Sequence, residues 1–147
     1  MWKITRPFER PSTNGSQALS DDNAPSVLLI TADDDYRVRW QKLFTAHHWQ
    51  LSCERSLTQA MQTLSHVPFP VVVYDCQSGN EDWRAALEAL CQSPDPPCVL
   101  LVSSVVDENF RDDVVRNHGY DVFSRRADED EIARTINSAW FWKHRHV

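Results

Sequence analysis

Apolar positions between Val27 and Trp142 follow two periods that alternate along the chain. VLLITA (27–32), VVVY (71–74) and CVLLV (98–102) are short, largely β-branched apolar runs, the form of strands buried on both faces. Trp49, Leu51 and Cys53 alternate as in a further strand, and a short one is expected around Asp121 to Ser124. The intervening segments repeat at three and four residues instead. Tyr36, Trp40, Leu43, Phe44 and His47 form one stripe. Leu57, Ala60, Met61 and Leu64 form a second, with Ser56 placed to cap it. Trp83, Ala86, Leu87, Leu90 and Cys91 predict a third helix, which the SPDPP stretch (93–97) must end because proline removes a donor and blocks the preceding turn. Phe110, Val114, Val115 and His118 predict a fourth, closed by Gly119 at C′. Ile132, Ile136, Ala139 and Trp140 mark the last.

Five strands alternating with five helices predict an α/β domain with a parallel sheet and crossover helices on both faces. Trp140, Phe141 and Trp142 are consecutive and point about 100° apart on a helix, so at least one ring is expected outside the core. Residues 1–25 break the pattern. They hold three prolines and a polar stretch from Ser12 to Ser20, and read as a flexible tail ahead of a domain over 26–147, with Trp2, Ile4 and Phe8 available to dock.

Length and charge narrow the functional classes. A chain of 147 residues has room for one ordinary domain. A net charge of −6 and a pI of about 5.4 oppose the attraction to phosphate backbones that non-specific nucleic-acid binding needs, so no direct nucleic-acid contact is expected. Cys53, Cys76, Cys91 and Cys98 show no C-x-x-C spacing and read as reduced, mostly buried thiols. No run reaches the ~18 apolar residues of a membrane span, and the N-terminus has charges where a secretory signal would be apolar. A cytoplasmic protein without membrane attachment is expected.

In a parallel sheet, residues just after the strands gather along one edge, where doubly wound folds bind ligands. Asp33 and Asp34 follow the first strand, Asp75 closes the third, Ser103 and Ser104 close the fourth, and Arg125 and Arg126 follow the fifth. Clustered carboxylates repel one another unless a cation joins them, and they are the hard oxygen donors that Mg²⁺ prefers. Each residue also has a local reading. Asp33 to Asp35 suit a helix N-cap, Asp75 a turn, Ser103 a cap, and the two arginines a solvated surface. Cys76 reads as an inert thiol, and neither His47-His48 nor His144-x-His146 has zinc-site spacing.

From about Val27 to Trp142 the chain resembles the receiver domain of bacterial response regulators. That family has an acidic pair after strand 1, an aspartate ending strand 3, a Ser or Thr ending strand 4 and a lysine after strand 5. Gly119 followed by Phe123 resembles the family's glycine-to-aromatic step, and three residues further on lies Arg126 where the family carries lysine. Ala127 and Gly79 stand where the family often has proline. The resemblance implies a flavodoxin-like five-stranded sheet in the order 2-1-3-4-5. It also implies phosphoryl transfer from a sensor histidine kinase or phosphotransfer protein to Asp75, with Mg²⁺ held by Asp33, Asp34, Asp75 and the carbonyl of Gln77. Ser103, or Ser104 in an alternative register, would contact the phosphoryl group with Arg126. Ser103 and Phe123 would relay the change to the face of helix 4, strand 5 and helix 5, a possible homodimer surface.

Arginine's planar fork is no equivalent of an ammonium. Two readings are therefore carried forward: a phosphoaccepting signalling receiver, which is not an enzyme, and a pseudo-receiver that binds partners without phosphoryl chemistry. A small Mg²⁺-dependent phosphatase using the same carboxylates is a third. Within these 147 residues no output domain follows the last helix, which suits a stand-alone receiver or a piece of a longer protein alike.

Overall fold

The computed structural model describes residues 24–79 and 81–145. The tail expected over residues 1–25 lies, except for its last two residues, outside them. The described chain runs β1 (Ser26–Ile30), α1 (Asp34–His47), β2 (Gln50–Glu54), α2 (Leu57–Leu64), β3 (Val71–Asp75), α3 (Trp83–Leu90), β4 (Cys98–Ser103), α4 (Glu108–Arg116), β5 (Asp121–Ser124) and α5 (Glu129–Arg145). The strands form one parallel sheet in the order β2-β1-β3-β4-β5, the expected topology.

Alternation along each strand divides the core in two. Val27, Leu29, Val71, Val73, Leu100 and Val102 face a layer made by α1 and α5, including Trp40, Phe44, Ile132 and Ile136. Leu28, Ile30, Val72, Tyr74, Val99 and Leu101 face α2, α3 and α4 through Ala60, Leu87, Leu90 and Val114. Both faces of the central strands are covered, which is why β3 and β4 are buried throughout and read as unbroken apolar runs. Each such aliphatic side chain contributes roughly 1.5–3 kcal/mol on burial. Edge strand β2 tucks only Leu51 and Cys53 partly under α1.

The helix stripes differ from expectation at their ends. His47 is exposed and instead stacks on Trp49 with ring centroids 4.4 Å apart. Val115 is 53% exposed and His118 is also at the surface, so α4 buries Val114 alone. The residue at positive φ beyond α4 is His118 (φ 76°), with no such requirement at Gly119. Gly119 answers a different need, close approach, since a Cβ there would lie 2.5 Å from Val114 Cγ1. On α5, Trp140 packs against the core while Phe141 is 62% exposed, as the angular argument requires.

Candidate functional site

Register determines which side chains meet at the carboxyl edge. Ile30 pairs with Tyr74, so the next residues, Thr31 and Asp75, stand side by side where β1 and β3 end. On the other flank Asp75 pairs with Val102 and Ser103 with Ser124, which brings Arg125 over the edge as the first residue after β5.

Asp75 is fully buried, and a buried carboxylate is costly unless its oxygens are paired. Three donors meet it. Thr31 Oγ1 donates to Oδ2 at 2.8 Å, the guanidinium of Arg125 donates to the same oxygen through Nη1, and the backbone N–H of Gln77 donates to Oδ1 at 3.0 Å. Thr31 is itself held, its hydroxyl oxygen accepting from the N–H of Asp33 at 3.1 Å.

Asp33 has two tasks. Its Oδ1 caps α1, accepting from the N–H groups of Asp35 at 3.0 Å and Tyr36 at 3.1 Å, while Oδ2 takes Nη2 of Arg125 at 2.5 Å. The Tyr36 N–H, more than the partial desolvation that opposes it or the Arg125 charge that assists, holds its carboxyl below the ordinary carboxylate value. Arg125 thus bridges Asp33 and Asp75 with its two terminal nitrogens. Its guanidinium carbon also lies 4.3 Å from the centre of the Tyr36 ring, a cation–π contact. Burial works against the Arg125 charge, but the hydrogen bond and field of Asp75 outweigh it and raise its pKa. The backbone of Arg125 is fixed as well, its N–H donating to Ser103 O at 3.0 Å and its carbonyl accepting from Arg39 Nη1 at 3.2 Å. Arg39 Nη2 reaches Ala127 O at 2.5 Å.

Of the residues expected to hold magnesium, Asp33, Asp75 and Gln77 meet around Arg125, but Asp34 does not join them. Asp34 turns outward to Arg55 at 2.6 Å and Arg37 at 3.4 Å, and the Arg55 hydrogen bond is the main cause of its lowered pKa. The position beside Asp75 belongs to Thr31, a residue without charge. The guanidinium fills the space between Asp33 and Asp75 with donors. Among the described residues no group of three or more His, Cys, Asp or Glu is placed to hold a metal ion. These residues do not fit Mg²⁺, which needs oxygen ligands in near-octahedral array.

The cation at the site is Arg125 and not Arg126, whose N–H bonds Ser124 Oγ at 3.0 Å and whose side chain is exposed. Ser103 stands at the strand end, 9% exposed, with its Oγ accepting from the N–H of Val105 at 3.2 Å; Ser104 is exposed on the rim. Phe123 lies on the α1–α5 side of the sheet. It is buried against Trp40, centroids 5.9 Å apart, and the β5 residue facing α4 is Val122. A shallow cleft above the clamp is lined by Asp33, Tyr36, Gln77, Ser104, Arg125 and Arg126 among others. Cys76, beside Asp75, has its thiol pushed up to about 12, first by burial and then by the Asp75 charge, and is not poised as a nucleophile.

Thr31 and Arg125 were legible by a signal that sequence counting from Asp33 and Gly119 passed over. Aligning VLLI with VVVY as neighbouring strands sets Thr31 beside Asp75, and the same alignment across β4 and β5 selects the first arginine.

No protein-family model matches the sequence, and no curated protein matches it at a significant level. Solved structures do resemble the fold. The signal receiver domain of an HD domain-containing protein from Pseudomonas fluorescens Pf-5 superposes with a TM-score of 0.74 at 20% identity, over 89% of this chain and 97% of that one. The beryllofluoride-activated NtrC4 receiver domain dimer gives 0.73 at 15%, over 80% and 98%. The receiver domain of the sensor histidine kinase PA1611 from Pseudomonas aeruginosa PAO1, which has a magnesium ion coordinated in its active-site cleft, gives 0.68 at 11%, over 80% and 98%. The chain has the fold of response-regulator receiver domains.

Proposed function

We propose that this receiver-fold chain is a pseudo-receiver, a protein-interaction module that works without phosphoryl transfer to Asp75. The observation that carries the reading is the Arg125 guanidinium bridging Asp33 and Asp75, with Thr31 beside the carboxylate. Phosphoryl transfer requires a nucleophilic oxygen and cationic groups placed to stabilise the negative charge that spreads over the three equatorial oxygens in the transition state. Here Asp75 Oδ2 already takes two donors, and the cation that would stabilise the incoming group is bound to the acceptor itself. The domain therefore presents a fixed edge on which one guanidinium joins two carboxylates, and has no turnover of its own. Its partners are proteins of the signalling class that receivers serve, a sensor histidine kinase or phosphotransfer protein, met in the cytoplasm. No helix among the described residues is long and apolar enough to cross a membrane.

The competing reading, a Mg²⁺-dependent phosphoacceptor, is favoured by the burial of Asp75 at the end of β3 with Ser103 across the sheet edge. Acetyl phosphate or beryllofluoride with Mg²⁺, followed by intrinsic fluorescence, separates the two. The expected result is no response in the wild type that Asp75→Asn abolishes, together with partner capture equal in both proteins. A hydroxylamine-labile label from acetyl phosphate that disappears in Asp75→Asn, or a saturable magnesium response, would overturn the proposal.

A further inference from the structure

At the edge of the sheet opposite the clamp, the C-terminal ends of α2 and α3 leave an apolar groove of about 520 Å³. Met61, Leu64, Phe69, Leu90, Pro94 and Pro97 supply most of its walls. That volume lies within the roughly 300–1,000 Å³ of pockets that enclose a small ligand. Asp95 lies at its rim, its carboxylate paired with Lys143 Nζ at 2.6 Å, and the neighbouring Val67 is 48% exposed.

The start of the domain lies beside this groove. Val27 pairs with Val71, two residues beyond Phe69, which lines the groove, and the carbonyl of Pro25 accepts from Gln50 N at 3.0 Å. Parallel strands stand about 4.8 Å apart, so the chain enters the sheet next to the strand that leads away from the groove wall. Residues 1–10, MWKITRPFER, combine Trp2, Ile4 and Phe8 with a local excess of cations, Lys3, Arg6 and Arg10 outnumbering Glu9. The charges of residues 1–23 cancel, three of each sign, so the rest of the chain carries the whole −6. The 16 residues that follow Phe8, up to Ala24, span at most about 55 Å, ample for so short a path. Tethering also raises the local concentration of such a segment to the millimolar range for short linkers.

We propose that the α2–α3 groove is the seat of this chain's own Trp2–Phe8 segment, its aromatic rings filling the apolar walls and its cations facing the acidic domain. The docking is independent of events at Asp75. Methyl and indole NMR of the full-length chain tests it. Trp2→Ala combined with Phe8→Ala should shift the methyl resonances of Met61, Leu64 and Leu90, and Ala89→Trp, which fills the groove, should move the Trp2 indole to its position in a free peptide of residues 1–12. The double variant changes no residue of the described core, so it remains informative if Ala89→Trp fails to fold. Groove methyls unchanged by the double variant would overturn the proposal. So would groove shifts that follow protein concentration and ignore Trp2 and Phe8, because a second copy of the chain would then be the occupant.

Discussion

Taking one donor from Asp75 exposes how much of the edge depends on pairing. Arg125→Ala leaves a fully buried carboxylate without its counter-charge and should cost about 3–5 kcal/mol in urea unfolding. Thr31→Val, which removes one hydroxyl and keeps the shape, should cost about 1–3 kcal/mol. Adding Asp75→Asn to Arg125→Ala should return part of the loss, since an amide tolerates the site better than an unpaired charge. A double variant less stable than Arg125→Ala alone would contradict the clamp. The residue scale is also where sequence reading met its limit. Three consecutive aspartates after VLLITA look like a metal set by composition. Strand β1 ends at Ile30, and two further residues pass before Asp33 caps α1. Which side chain faces Asp75 depends on where the strand stops, and the apolar pattern fixes that only to within a residue or two.

Whole elements were far more legible, because burial on both faces leaves a continuous apolar run that no turn or surface helix imitates. β3 and β4 fall where the pattern places them, and Ser56 caps α2 through the N–H of Gln59 at 3.2 Å. Helix ends were less so, since a left-handed cap can be filled by a residue other than glycine. His48 and His118 both occupy that region, with φ of 59° and 76°. A non-glycine side chain there costs roughly 1–2 kcal/mol, so His118→Gly should raise the unfolding free energy by about 1 kcal/mol. Gly119→Ala should act oppositely. Its Cβ would meet Val114 Cγ1 at 2.5 Å and Leu87 Cδ2 at 3.3 Å, overpacking that costs about 1–3 kcal/mol in the same measurement.

Across the whole molecule the clamp couples stability to acid. Asp33 and Asp34 both have folded-state pKa values below the ordinary 3.8, so each stabilises the fold above that value and loses its contribution as pH falls through the lower folded value. Thermal unfolding should therefore hold steady down to about pH 4 on account of these two groups and then decline. Asp33→Asn should flatten the decline, and an unchanged slope would show that the carboxylate is not held as described. The sheet order and its two helical layers followed from alternation of periods alone, whereas the side of the sheet on which Phe123 falls depended on the exact residue at which β5 begins.

Arg39 grips two consecutive turns of backbone, at Arg125 and at Ala127, from its place on α1. The first and last helices are thereby stitched into a single mechanical body through the strap that joins β5 to α5.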